Sequence, residues 1–275
     1  MSGWFAALQR ILPHHGLSRL TGALARSEHP WIRRPFVHGF ARAYRIDLAE
    51  AERGSLDEYR SFNDFFTRAL RPGARPLDPD PTSILSPADG VVSQSGRLDG
   101  DRLLQAKGTQ YRLRSLIGRD APEYVNGSFA TVYLAPHDYH RVHLPLAGRL
   151  VRTTAIPGEL FSVNARTEAA ISDLFCRNER LVCEFETARG NLLVVLVGAM
   201  IVASIETVWG GPTSPYRRQQ EDRWDRTFAR GAEIGRFLLG STVIVCLPPG
   251  PMRLDAGLKA GLPVRMGQRI GTIGA

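Results

Sequence analysis

Lysine is nearly absent from this chain: Lys107 and Lys259 are the only two, although the formal net charge is +8. Arginine therefore carries almost all of the basicity, and chemistry that needs a Schiff-base lysine has only those two candidates. Cysteine is scarce as well. Cys176, Cys183 and Cys246 are odd in number, sit among apolar neighbours and form no C-x-x-C pair. That pattern argues against a cysteine zinc site and predicts buried, reduced thiols. Long apolar runs are also missing. The greasiest, Leu192 to Ile205, covers 14 residues, short of the roughly 20 that a spanning helix needs. Its β-branched content and closing Glu206 predict buried strands. The first residues lack a basic stretch followed by a long apolar core and a small-residue cleavage site, so no secretory leader is expected.

What is present bounds the architecture. A chain of 275 residues, 43% hydrophobic, can bury a core as one domain or one domain with an appendage. Its positive charge favours nucleic acid, anionic lipid or a phosphate-bearing substrate as partner, and composition does not choose among them. Residues 1–70 read as helical. Trp4, Phe5, Leu8, Ile11 and Leu12 recur at helical spacing, Pro13 interrupts them, and Leu17, Leu20 and Leu24 resume. Arg10, Arg19, Arg26, Arg33, Arg34, Arg42 and Arg45 are interleaved. Such a face suits an anionic membrane surface or, equally, packing against the chain's own core. Ser61 before Phe62-Asn63-Asp64-Phe65-Phe66 predicts a capped helix. Arg71 to Pro81 holds four prolines and predicts a linker or extended arm. Beyond it, short alternating runs predict strands. The pattern G-x-x-I-G occurs at both Gly231–Gly235 and Gly267–Gly271, as in small lipoyl and biotinyl carrier sandwiches. Residues 212–230 are polar and predict a mobile surface loop.

Three islands carry chemistry. Leu239-Gly240-Ser241-Thr242 places a hydroxyl after a small residue inside an apolar run, a pattern that can mark a chain that cuts itself. Ser86-Pro87-Ala88-Asp89-Gly90 offers a carboxylate on a turn, where Asp is also a plain turn-former. Tyr139-His140-Arg141-Val142-His143 offers imidazoles. Serine needs a base within hydrogen-bond reach, histidine is the usual base, and a carboxylate orients it. His137, His140 and His143 also suit a metal in one conformation, although no nearby Glu or Cys completes a ligand set. A solvated histidine-rich loop is the plain alternative.

Taken in order, the islands resemble the phosphatidylserine decarboxylase family in its short bacterial form. Those that carry the likeness are Phe62–Phe66, Pro87–Gly90, Leu104–Gly108, Tyr139–His143, Pro157–Asn164, Arg177–Arg180, Ile205–Trp209 and Leu239–Thr242. They span nearly the whole chain, are thinnest at the first residues and in 212–230, and show no departure at a catalytic position.

The resemblance implies a proenzyme that cleaves itself between Gly240 and Ser241. Ser241 attacks the Gly240 carbonyl, assisted by His143 with Asp89 behind it. The ester that forms then eliminates and hydrolyses, leaving residue 241 as a covalent pyruvoyl group. That ketone condenses with the substrate amine and accepts the electrons that decarboxylation leaves at Cα, with no external cofactor. His140 is the implied proton donor. The implied activity converts phosphatidylserine to phosphatidylethanolamine, with no metal and no nucleic acid. The expected architecture is α+β: a helical membrane-facing region, residues 1–70, and a β-rich catalytic core, residues 71–275, resembling a lipoyl/biotinyl-type barrel-sandwich. Cleavage divides the chain into 1–240 and 241–275, which stay together. The expected location is the cytoplasmic side of the cell membrane, held peripherally at its anionic surface, and homo-oligomerisation is left open. Rival readings are a pyruvoyl decarboxylase of a soluble amino acid, a non-catalytic lipid-binding or carrier-like module, and a histidine-ligated metalloenzyme.

Overall fold

The structure is a computed structural model that describes residues 21–106, 108–199, 205–212, 214–238 and 241–274, with the backbone alone for residues 165, 166 and 241. Lys107, Gly240, the Ser241 side chain and the apolar residues of the first twenty lie outside what is described.

The architecture is α+β and mostly sheet. Helix α1 (Pro30–Tyr44) starts on a proline, whose missing N–H costs nothing at a helix N-terminus, and ends on Arg45 in the left-handed region. Helix α2 (Phe62–Phe66) has the expected cap: the Ser61 hydroxyl accepts from the Asp64 N–H at 3.1 Å. Phe62, Phe65 and Phe66 bury against Tyr59, Val37 and Ala41, forming a small helical cluster of their own. Residues 21–26 are helical as well, as expected, but between α1 and α2 lie a short 3-10 turn and irregular chain, so the region 45–61 is less helical than the sequence suggests.

The β part begins with β1 (Ser83–Leu85), β2 (Gly90–Arg97) and the hairpin β3 (Arg102–Ala106) and β4 (Thr109–Arg112). There follow β5 (Ser128–Leu134), β6 (Arg141–His143), β7 (Gly148–Ile156), β8 (Arg180–Thr187) and β9 (Gly190–Gly198). The last are β10 (Ile205–Thr207), β11 (Gln220–Phe228), β12 (Glu233–Phe237), β13 (Ser241–Leu247), β14 (Met252–Leu254), β15 (Pro263–Val264) and β16 (Arg269–Ile273). Eight of them form one antiparallel sheet in the order β11-β7-β8-β9-β13-β5-β2-β15. The order has two ends, so the described strands make an open sheet and no closed barrel.

Both faces of this sheet are covered. Leu192, Val194 and Leu196 of β9 point into one cluster, together with Val243 and Val245 of β13. Leu193, Val195 and Val197 point into the other, with Ile244 and Cys246. A strand buried on both faces has no polar positions to alternate with, which is why this stretch reads as a continuous apolar run. Cys183 and Cys246 are buried, Cys176 is partly so, and all three thiols are free.

The polar stretch 212–230 departs from expectation. Its second half is β11, the edge strand, paired with β7 from Gln220–Ala155 to Phe228–Gly148. Trp224 and Phe228 pack against the core, while Glu221, Arg223 and Asp225 are exposed. Charges on an outer strand discourage further pairing, and they also disguise the strand as a loop.

The two G-x-x-I-G segments occupy equivalent places. Each begins on a glycine with positive φ, Gly231 at 78° and Gly267 at 84°. Each then runs into the central strand of a three-stranded sheet, β10-β12-β6 and β1-β16-β14 respectively. A Cβ on either glycine would collide with the proline-rich arm at Leu77 or Pro76. The arm is therefore clasped between the two turns, and the Asp78 N–H donates to the Gly267 carbonyl at 2.9 Å.

Candidate active site

Three chain segments converge at one end of the large sheet. Residue 241 opens β13, and its backbone pairs with Leu134 of β5 on one side and Gly198 of β9 on the other. On the next strand Val91 pairs with Tyr133, so the Asp89–Gly90 turn extends the row that holds residue 241. At a strand spacing of about 4.8 Å, that turn lies about 10 Å across the sheet from residue 241. The chain beyond β5 then folds through residues 135–140 into β6, while β12 leads towards β13. Arg141 pairs with Arg236, and the Phe237 N–H donates to the His140 carbonyl at 3.0 Å. The histidine segment therefore runs alongside β12, whose last residue, Phe237, lies four positions before residue 241.

His143 reaches the Asp89 turn through its backbone: its N–H donates to the Pro87 carbonyl at 2.8 Å. Its ring does not use the carboxylate. Nδ1 lies 2.9 Å from the Gly231 carbonyl oxygen, which can only accept, so Nδ1 carries the proton. That leaves Nε2 an acceptor, and the Tyr139 hydroxyl donates to it at 3.1 Å. Burial holds the imidazole below its ordinary pKa, opposed by the Gly231 bond and by the charges of Glu233 and Asp89. The neutral ring is the form a base requires. Burial also pushes the Tyr139 phenol up to about 12.

Asp89 is held elsewhere. Arg75 Nε donates to its two carboxylate oxygens at 2.9 and 3.0 Å, and Arg75 Nη2 donates to Oδ2 as well. The Met266 N–H adds a bond to Oδ1 at 2.8 Å. The expected bond from Asp89 to His143 is replaced by Arg75 on the carboxylate and Gly231 on the imidazole, so Asp89 acts on the ring through space. Arg75 also pairs with Glu50 at 2.9 Å, and its pKa rises above the ordinary arginine value through the bond to Asp89.

His140 is fully buried. Its Nδ1 donates to the Asp138 carbonyl at 2.9 Å, its ring lies 3.9 Å from that of Phe66, and its Nε2 has no partner among the described residues. Burial pushes its pKa down to about 3, with the nearby Arg68 charge adding to the effect. Its Nε2 is therefore a bare acceptor in an apolar wall, and it can give up a proton only after first taking one. His137 is exposed and faces Asp138 at 3.5 Å. The three histidines therefore do not share a face.

Several supporting roles went unread in the sequence, Asn178 and Tyr139 among them although each stands in a recognised island. Asn178 donates to the carbonyls of Phe161 and Gly198, both at 2.9 Å, and accepts from the Phe161 N–H. It thereby fixes the strand end that pairs with residue 241. Arg75 lay hidden in a proline-rich stretch, and the Gly231 carbonyl is a backbone group that no side-chain pattern announces. Tyr139 stood inside a recognised island without a role.

A family model described as phosphatidylserine decarboxylase matches residues 62–272, and a second, described as PSD, matches residues 4–45. Phosphatidylserine decarboxylase proenzyme of Methylococcus capsulatus is 50% identical over 276 residues, covering 98% of this chain and 96% of the relative. The proenzyme of Pseudomonas fluorescens is 50% identical over 97% of this chain and 96% of its own length. That of Psychrobacter arcticus is 51% identical over 96% of each. The chain belongs to the phosphatidylserine decarboxylase family.

Proposed function

We propose that this chain is a proenzyme that cleaves itself at Gly240–Ser241 and then decarboxylates phosphatidylserine to phosphatidylethanolamine. One observation carries the reading: residue 241 opens a central strand of the sheet, at the end where His140, His143 and the Asp89 turn converge.

In self-cleavage the Ser241 hydroxyl attacks the Gly240 carbonyl carbon and the peptide nitrogen leaves, moving the acyl group from nitrogen to oxygen. His143 Nε2 takes the hydroxyl proton once the Tyr139 hydroxyl gives way, and the Asp89 charge favours the imidazolium. Loss of the residue 241 α-proton expels Gly240 as a carboxylate. Water then replaces the nitrogen, which departs as ammonia.

The neighbourhood suits a covalent carbonyl group at position 241. His140, whose carbonyl accepts from the Phe237 N–H four residues before position 241, offers a buried imidazole whose Nε2 has no partner among the described residues, beside the apolar ring of Phe66. A pyruvoyl carbonyl there supplies the electron sink that amino-acid decarboxylation requires. The residues of the chain handle protons and water. His140 Nε2 takes the proton that the substrate ammonium must lose before its nitrogen can attack, and returns it to Cα after carbon dioxide leaves. The apolar wall favours turning a carboxylate into a neutral gas.

The remaining parts of the reading follow. The chain divides at about residue 70 into a membrane-facing region and a catalytic core, and the paired turns at Gly231 and Gly267 support a lipoyl-type repeat within that core. Trp31, 85% exposed on α1, and its flanking arginines suit peripheral contact with an anionic cytoplasmic membrane face. Chains 1–240 and 241–275 stay together because β13 is hydrogen-bonded on both sides within the sheet.

Intact mass under denaturing conditions tests the proposal. The expected result is two chains split at 240/241, with the smaller one lighter than its encoded mass by one ammonia. A single full-length chain from material that decarboxylates phosphatidylserine would overturn it.

A further inference from the structure

Arg68 is an arginine that the fold buries without an ion pair to any carboxylate among the described residues. It directly follows Thr67, the C-cap of α2, and is 5% exposed. Its Nη2 donates to the carbonyls of His137 and Asp138, at 2.8 and 3.3 Å. Its Nη1 is buried and has no partner among the described residues. Its guanidinium sits 5.8 Å from the centre of the Phe65 ring. Buried charges are normally paired, and a buried N–H with no acceptor is costly, so a guanidinium kept in this state calls for an acceptor that comes and goes.

The place narrows the choice. The Asp138 carbonyl that accepts from Arg68 also accepts from His140 Nδ1. Arg68 Nη1 and His140 Nε2, two of the seven buried polar side-chain atoms without a partner among the described residues, therefore belong to side chains tied to one carbonyl oxygen. If His140 serves the substrate Cα, an anion bound by Arg68 must be close to that carbon. The substrate carries two such anions, the carboxylate and the phosphodiester, and only the ester oxygen and the serine Cβ stand between the phosphorus and Cα. A guanidinium on the carboxylate would stabilise the charge that the reaction must destroy. On the phosphodiester, whose charge persists from substrate to product, it holds the molecule without opposing the chemistry.

We infer that Arg68 is the receptor for the substrate phosphodiester, with Nη1 as the donor reserved for it. The inference rests on the functional reading above, and it deepens that reading by naming the residue that recognises the headgroup phosphate.

The test uses the processed full-length enzyme and its Arg68→Gln and Arg68→Lys variants. Self-cleavage and melting temperature are recorded to confirm that each folds. Binding of glycerophosphoethanolamine, which has the phosphodiester and no carboxylate, is measured beside KM and kcat for phosphatidylserine in mixed micelles. A charge-assisted hydrogen bond lost on Arg68→Gln should weaken binding and raise KM by about tenfold to hundredfold, with kcat little changed and Arg68→Lys in between. Raised KM with unchanged glycerophosphoethanolamine binding would assign Arg68 to the carboxylate and overturn the inference. A fall in kcat alone, with a shifted pH profile, would make Arg68 a support for the His140 loop and overturn it too. If the wild type binds the probe through Arg68 but does not turn over phosphatidylserine, the functional reading fails and the phosphodiester site stands.

Discussion

Arg75 holds Asp89 by a fork of hydrogen bonds, with Nε at 2.9 and 3.0 Å from the two carboxylate oxygens and both side chains only 8% exposed. The carboxylate expected behind the His143 imidazole is thus first the partner of a buried arginine. The ion pair reaches outward to Glu50, which in turn contacts Arg265 at 3.2 Å.

Replacing Arg75 should therefore affect both stability and processing. Arg75→Met leaves Asp89 buried without its countercharge, a change that costs about 3 to 5 kcal/mol in comparable buried pairs. We expect a lower melting temperature and slower appearance of the two chains on denaturing gels. A variant that cleaves at the wild-type rate would show that Asp89 does not need this clamp.

The two histidines should separate by function. His143→Ala should abolish self-cleavage, as should Ser241→Ala. His140→Ala should leave cleavage largely intact and impair carbon dioxide release by about a hundredfold or more, the usual scale of a lost general acid or base. Gel analysis and a decarboxylation assay on the same preparations decide the matter, and the reverse pattern would exchange the two assignments.

Acid should destabilise the fold through His140. Its folded pKa of about 3 lies below the ordinary value of 6.5, so the unfolded chain binds the proton more readily. The stability that depends on a neutral ring is complete above about 6.5 and is lost progressively as pH falls from there towards 3, with a slope of at most about 1.4 kcal/mol per pH unit. Urea denaturation across that window should show His140→Gln with a shallower pH dependence than the wild type. Equal slopes would mean that the ring is protonated or solvated in the native state.

Phe66 should act through water exclusion. Its ring lies 3.9 Å from that of His140 and joins the helical cluster to the site. Phe66→Ala opens a cavity and should cost about 3 to 5 kcal/mol of stability. It should also admit water, raise the His140 pKa and lower turnover while cleavage persists. An NMR titration of the His140 ring, compared with wild type, reads the effect directly.

Much of this was legible in order. Ser61 capped α2 as its hydroxyl and spacing required, the apolar run at 192–198 became a doubly buried strand, and the paired G-x-x-I-G turns took equivalent places. Where the sequence misled, local composition and tertiary role diverged. Residues 220–228 look like a loop because an edge strand keeps its charges on the solvent side. The proline arm looks like a bare linker because prolines deny it a ladder, yet Leu77 and Arg75 pack it onto the core.

The sequence by itself determined the kinds of group available: one hydroxyl after a glycine at 241, imidazoles at 140 and 143, a carboxylate on a turn at 89, and only two lysines to compete with them. These follow from residue chemistry and spacing, which are local. Only the tertiary structure decided which group faces which: Arg75 on Asp89, the Gly231 carbonyl on His143, and the orphaned nitrogens of Arg68 and His140 tied to one carbonyl. Those relations join residues far apart in sequence, several through backbone atoms that carry no side-chain signature. They depend on burial, which removes water as a partner and leaves each polar group to find its own.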